Sequence, residues 1–287
     1  MTAAVYGEWT LAELEREYSP SSCIEDIGYY LDRYATLSAA ARKGGDGKLL
    51  LDCRYGDKPR QCLDLYLPRQ QAPAPLHIYI HGGYWQQLSK DESAFAAPML
   101  NAQGVGLAVL NYTLAPQASL TEIVAEIRQA IVWCYQQAPG VDRRNITLSG
   151  SSAGAHLVMM MSLTDWTQYG LPAEPFAGAL AVSGIYDLAP LVPTYINEAV
   201  QLSPQEVASL SPMVQPLSVS CPLLLAFGEI ETAEFKRQSR DYYQRLSEAG
   251  LTVELASIPR RNHFDVILEL TDADSLLSRR LLGWISP

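Results

Sequence analysis

The stretch "SGSSAGAH", Ser149 to His156, sets three serines among closely spaced glycines, an arrangement that could present a hydroxyl as a nucleophile. Two frames compete. Gly150-x-Ser152-x-Gly154 puts glycine two residues either side of Ser152, whereas Ser149-x-Ser151-x-Ala153 surrounds Ser151 with other small residues. A strand that turns sharply into a helix brings its flanking backbones so close that side chains are nearly excluded, so the glycine frame fits better and selects Ser152. "NITLS" before it reads as a buried strand and "AGAHLVMMMSL" after it as a helix. Ser152 then stands at a helix N-terminus, where the dipole and free N–H groups favour developing negative charge.

A hydroxyl is a poor nucleophile near neutral pH. It needs a base, and the base needs an orienting acid. Among the four histidines, His77 lies inside an apolar strand and reads as core, and His156 points back beneath the elbow in a structural role. His263, in "PRRNHFD", stands between the last strand and the last helix, where the chain order serine, acid, histidine delivers the base. The acid should follow the strand "PLLLAFG", and Glu229, Glu231 and Glu234 all lie there. Glu229 abuts the strand and Glu234 falls in the next helix, so Glu231 is best placed, with Asp187 as a rival after the preceding strand. A tetrahedral intermediate also needs N–H donors aimed at its oxygen. In "HGGYW", His81 to Trp85, Gly82 and Gly83 let a strand-end loop come close. The N–H groups of Gly83, Tyr84 and Ala153 then complete an oxyanion hole.

The elements that must position these residues alternate. After a helical N-terminal segment broken at "YSPSS", "LLLDCRY" and "CLDLYLP" read as an antiparallel strand pair. "LHIYIHG", "VGLAVLNY", "NITLSG", "AGALAVSG", "PLLLAFG" and "LTVELASIP" follow as further strands, several apolar throughout, as strands buried on both faces must be. Helical stretches are expected at 90–103, 119–137, 153–166, 232–249 and about 264–284. Strand alternating with helix implies a mostly parallel sheet covered on both sides. Residues 188–220 carry five prolines and no strand pattern, suggesting a small cap above the sheet. The chain reads as one domain over 1–287, with a helical segment at 1–45.

Of the 287 residues, 48% are hydrophobic and 18% charged, enough for a sizeable core. The net charge of −10 and the lack of any basic run argue against nucleic acid or an anionic membrane as partner. No apolar stretch reaches the roughly 20 residues of a membrane helix, and no secretory signal is visible at the start. The five scattered cysteines suggest neither a disulfide framework nor a zinc site. A cytoplasmic protein with reduced thiols is expected.

"HGGYW", "GSSAGAHL", the "DLYLP" strand and the N-terminal "EREYSPSS" together resemble the kynurenine formamidases (arylformamidases) of the α/β-hydrolase fold. "FGEIETAEFKRQS" and "NHFDV" are similar to the acid and histidine segments of that family, and the resemblance runs over most of the chain. HGG and GxSxG are shared with many esterases, whereas the YW and YSPS segments are more particular. The chain departs from the family in placing Glu231 where Asp is frequent and in having Ser151 before the nucleophile. The resemblance implies an α/β-hydrolase fold with a mostly parallel eight-stranded sheet, helices on both faces and a small cap insertion. It implies hydrolysis of N-formyl-L-kynurenine to formate and L-kynurenine, a step of tryptophan degradation, by a metal-independent serine hydrolase without a cofactor. Tyr84, Trp85, Tyr186 and Tyr195 are the aromatic candidates for the substrate pocket. The expected partner is a small-molecule substrate, and a homodimer is the assembly considered. The rival readings are a carboxylesterase for small aryl or acyl esters and a hydrolase-fold binding protein without turnover.

Overall fold

In a computed structural model, which describes residues 4–44, 47–69 and 73–285, eight strands form one sheet. They are β1 (Lys48–Arg54), β2 (Cys62–Leu67), β3 (Ala74–Ile80), β4 (Gly106–Leu110), β5 (Val141–Ser151), β6 (Gly178–Val182), β7 (Leu223–Ile230) and β8 (Val253–Asn262). Their order across the sheet is β8-β7-β6-β5-β3-β4-β2-β1. β2 pairs antiparallel with both β1 and β4, and every other pairing is parallel. This is the mostly parallel sheet of an α/β-hydrolase fold.

The central strands bury both faces, so each needs apolar residues on both sides. In β6, Ala179 and Ala181 face one core and Leu180 and Val182 the other; in β4, Ala108 and Leu110 oppose Leu107 and Val109. The first core is closed by α4 (Leu120–Gln137), α5 (Ala153–Ser162) and α8 (Ala233–Glu248), through residues such as Ile127, Leu157 and Phe235. The second is closed by α2 (Ile27–Gly44), α3 (Ala97–Ala102) and α9 (Leu276–Ile285), through Tyr34, Leu100 and Leu281.

Two expected helices are broken in two. The stretch 90–103 divides into a 3₁₀ turn at Lys90–Glu92 and α3, which Pro98 starts. The last helix divides into a 3₁₀ segment at Val266–Thr271 and α9. Between β6 and β7 lie only short pieces, including α6 (Asn197–Val200) and α7 (Pro204–Leu210), and no strand occurs there among the described residues. The N-terminal segment comprises a short hairpin (Ala4–Tyr6 with Trp9–Thr10), α1 (Leu11–Glu17), a 3₁₀ turn at Pro20–Cys23 and α2. Residues 1–3 and 45 of the expected helical segment, and 286–287 at the chain end, lie outside the described residues.

Candidate active site

β5 delivers the chain to Ser152, which caps α5 with φ 57° and ψ −120°. L-residues rarely adopt that conformation, and holding one there stores roughly 1–3 kcal/mol. The neighbours explain why glycine is needed on either side. A Cβ on Gly150 would collide with the carbonyl of Gly154, and one on Gly154 with the carbonyl of Ile80 at the end of β3. The Ser152 N–H donates to the Val182 carbonyl at 2.8 Å, which pins the elbow to β6. Ser149 is committed elsewhere, with its hydroxyl 2.6 Å from His77 Nε2 inside the core. Ser152 therefore occupies the strained position, and Ser151 ends the strand before it.

His263 follows β8 in a tight turn. Asp265 accepts from the Asn262 N–H at 2.7 Å, and the Asn262 side chain accepts from the Phe264 and Asp265 N–H groups. Its ring packs 4.5 Å from that of Phe235. Nδ1 lies 3.0 Å from Glu231 Oε2. An ionised carboxylate can only accept, so Nδ1 carries the proton and Nε2 is left as the basic nitrogen. The other carboxylate oxygen, Oε1, accepts from the Ser183 hydroxyl at 2.6 Å and the Gly228 N–H at 2.5 Å. Glu231 is 5% exposed and His263 4%, so this pairing takes place away from bulk water.

The rival carboxylates are engaged elsewhere. Glu229 is exposed and accepts from the Arg260 N–H, and Glu234 takes a two-pronged ion pair from Arg237. Asp187 accepts from the Tyr6 hydroxyl and caps the Ala189 N–H.

The loop after β3 is shaped by three consecutive left-handed residues, Gly83 (φ 90°), Tyr84 (φ 50°) and Trp85 (φ 59°). A Cβ on Gly82 would lie 2.6 Å from the Ser151 carbonyl oxygen, so glycine is what lets this loop press against the elbow. The Gly83 carbonyl accepts from the Gln86 and Gln87 N–H groups and closes the turn. Among the described residues, the N–H groups of Gly83 and Tyr84 have no protein acceptor, and Ala153 N–H belongs to the unpaired first turn of α5. Three donors thus stand free around the elbow. His81, which opens the loop, stays in the core: its ring stacks on Tyr112 at 4.2 Å and its Nδ1 lies 2.9 Å from the Gly82 carbonyl.

Ser152, His263, Gly82, Gly83 and Tyr84 face one cavity of about 230 Å³. Its far wall comes from the N-terminal segment, through Ser19, Pro20, Ser21, Ile27, Leu31 and Tyr34. Tyr195 and Ile196 close it from the passage between β6 and β7. Among the described residues, the cavity wall contains no Asp, Glu, Lys or Arg side chain. No group of three or more His, Cys, Asp or Glu side chains able to hold a metal ion occurs among the described residues.

The BD-FAE family model matches residues 63–246, a span from β2 into α8. The kynurenine formamidase of Danio rerio is 37% identical over 95% of this chain and 96% of its own length. That of Salmo salar is 38% identical over 94% and 95%. The chain belongs to the kynurenine formamidase family. A crystal structure of a Silicibacter sp. tm1040 protein, 27% identical, superposes with a TM-score of 0.84 over 94% of this chain and 99% of its own.

Within this family member, two of the four expected aromatic pocket residues lie elsewhere. Tyr84 and Tyr195 line the cavity, but Trp85 and Tyr186 do not. The left-handed backbone at Tyr84 and Trp85 turns the indole inward, where it is fully buried and meets the His156 ring edge-on at 5.1 Å. Tyr186 is equally buried and stacks on Tyr242 at 4.5 Å, within the core beneath α8. His156 ties this region to the passage above the sheet through Nε2 and the Leu210 carbonyl, 2.7 Å apart.

The sequence places the helical N-terminus near the 188–220 insertion but names none of its residues as cavity wall. "YSPSS" announces a helix break, but nothing in its local pattern says that the break faces the elbow. Long-range hydrogen bonds put it there. The Tyr84 hydroxyl donates to the Tyr18 carbonyl at 2.5 Å, the Ser19 and Tyr195 hydroxyls are 2.9 Å apart, and the Tyr34 hydroxyl donates to the Phe264 carbonyl.

Proposed function

We propose that this family member hydrolyses N-formyl-L-kynurenine to formate and L-kynurenine through a formyl-enzyme. Ser152 Oγ attacks the formyl carbon while His263 Nε2 takes its proton, and Glu231 holds the imidazole and balances its charge. The oxyanion forms against the N–H groups of Gly83, Tyr84 and Ala153. Collapse breaks the C–N bond as His263 returns the proton to the departing arylamine nitrogen. Water, deprotonated by the same nitrogen, then cleaves the formyl ester of Ser152, releasing formate and restoring the hydroxyl.

The observation that carries this reading is the Glu231–His263 contact at 3.0 Å, with His263 and Ser152 lining one small cavity whose wall contains no Asp, Glu, Lys or Arg side chain among the described residues. About 230 Å³ falls below the roughly 300–1,000 Å³ usual for ligand pockets. That size suits an aryl ring with the smallest acyl group and disfavours long acyl chains. The family's own name supplies the formamide. Five free cysteines support a reducing, cytoplasmic setting.

The test compares kcat/KM for N-formylkynurenine with that for a chain-length series of p-nitrophenyl esters. Preference for the formamide is expected, and clear preference for the esters would reassign the protein as an esterase. Ser152→Ala should abolish turnover and labelling by a fluorophosphonate probe. Loss of both in Ser151→Ala, with Ser152→Ala still active, would move the nucleophile to Ser151.

A further inference from the structure

Ser183 is the first residue after β6 and is entirely buried. Its backbone is left-handed, with φ 52°, although it is not glycine. Its N–H is tied to the Ala226 carbonyl of β7 at 2.7 Å, and its hydroxyl donates to Glu231 Oε1 at 2.6 Å. The next residue, Gly184, sits so close to the Tyr186 ring that a Cβ there would lie 2.5 Å from the phenol oxygen. The chain at this point is thus held from both sides in a conformation L-residues avoid. What that conformation achieves is a hydroxyl aimed at the carboxylate behind His263.

We propose that Ser183 is a positioning residue of the hydrolase: its hydroxyl holds the Glu231 carboxylate in the orientation that His263 requires. The inference rests on the catalytic roles proposed above for Ser152, Glu231 and His263. A carboxylate with one oxygen on an imidazole can still rotate about its last bond and swing that oxygen away. Glu231 is prevented from doing so because Oε1 receives two donors, the Ser183 hydroxyl just after β6 and the Gly228 N–H of the neighbouring strand β7. Hydrogen bonds to the charged form also favour it over the protonated acid. Without the hydroxyl, the buried carboxylate keeps only one fixed donor on Oε1, and the pair takes up a proton more readily.

The other titratable groups around the pair do not replace this function. The Tyr186 hydroxyl is held far above its usual range by burial and stays neutral. Glu234, on the facing helix α8, is already paired with Arg237, and Glu229 points to the exposed side.

Two variants separate the hydroxyl from the strained backbone. Ser183→Ala removes the hydroxyl and keeps a side chain at positive φ, whereas Ser183→Gly removes the hydroxyl and relieves the strain. Both should lower kcat on N-formylkynurenine by about tenfold to a hundredfold, the factor for losing a hydrogen bond to a charged group, while KM changes little. In both, the acid limb of the kcat/KM profile, and of the fluorophosphonate inactivation rate, should move to higher pH. Ser183→Gly should melt above Ser183→Ala. Wild-type kcat with an unmoved acid limb in the glycine variant overturns the role, as does a loss that merely follows the fraction folded. Ser152→Ala is measured beside them. Turnover retained there overturns the triad and the role of Ser183 with it, whereas turnover lost there with wild-type profiles in both Ser183 variants overturns the role of Ser183 alone.

Discussion

At Ser152 the backbone takes φ 57° and ψ −120°, which glycine adopts freely and alanine does not. The serine is there for its hydroxyl, so removing the hydroxyl in two ways separates chemistry from strain. Ser152→Ala and Ser152→Gly should both be inactive, yet the glycine variant should be the more stable by about 1 kcal/mol, read from urea midpoints at equal slope. Equal stabilities would mean that the elbow is unstrained. This site was legible because the close approach leaves a mark in residue type: Gly150 and Gly154 stand where a Cβ would strike backbone. Trp85 was misread because the left-handed turn runs on past Gly83 into Tyr84 and Trp85, where residue type leaves no such mark. Three successive left-handed residues reverse the direction of its side chain, and only the fold reveals them. Ser183 was invisible for the same reason, a common residue whose partner lies 48 positions away.

The N-terminal segment behaves as a built wall of the cavity and not as an appendage. α1 and the turn after it are fixed to α8 by a buried cluster: the Tyr18 hydroxyl donates to Glu234 at 2.9 Å and accepts from Gln238 at 2.6 Å, and Thr232 donates to the Glu17 carbonyl at 2.6 Å. α2 is held at its far end by Arg42, 2.9 Å from the fully buried Asp64, which Lys90 also pairs at 3.1 Å. Hydrophobic periodicity finds such helices but carries no signal for where they dock, since the docking is made by a few polar contacts far apart in sequence. Tyr18→Phe keeps the ring and leaves Glu234 and Gln238 each short of a partner. Loss of about 1–3 kcal/mol of stability is expected. Because Ser19, Pro20 and Ser21 line the substrate side, KM should rise several-fold while kcat, set by groups on the sheet, stays close to wild type. A fall in kcat at constant KM would show that the segment supports the chemistry and not the pocket.

Over the whole molecule, three of the four histidines are sealed in the core and neutral. Burial pushes His77 down to about 3, His81 to about 3 and His156 to about 4, against an ordinary value of 6.5. Below pH 6.5 the unfolded chain binds a proton at each of these histidines, and the folded chain does not until near pH 4 and 3. Stability therefore falls as pH falls through that window. Carboxylates held below their usual range, such as Glu122 by its bonds from Ser119 and Glu206 by its bonds from Ser203 and Thr121, push the same way at the lower end. The net charge of −10 at pH 7 acts against this trend, because acidification first relieves like-charge repulsion across the surface. Magnitude decides between them: three protons taken up on unfolding give a slope of about 4 kcal/mol per pH unit near pH 5, against a total stability of roughly 5–15 kcal/mol. Acid unfolding is expected well above the pH at which most carboxylates titrate. Urea unfolding at closely spaced pH values from 7 to 4.5 measures the slope directly. His156→Phe, which preserves a ring beside Trp85 and deletes one buried site, should flatten it by about 1.4 kcal/mol per unit even if the variant is less stable throughout. A wild-type slope no steeper than a single proton's worth would mean that these histidines take up protons in the folded state, and that the core around the elbow admits charge.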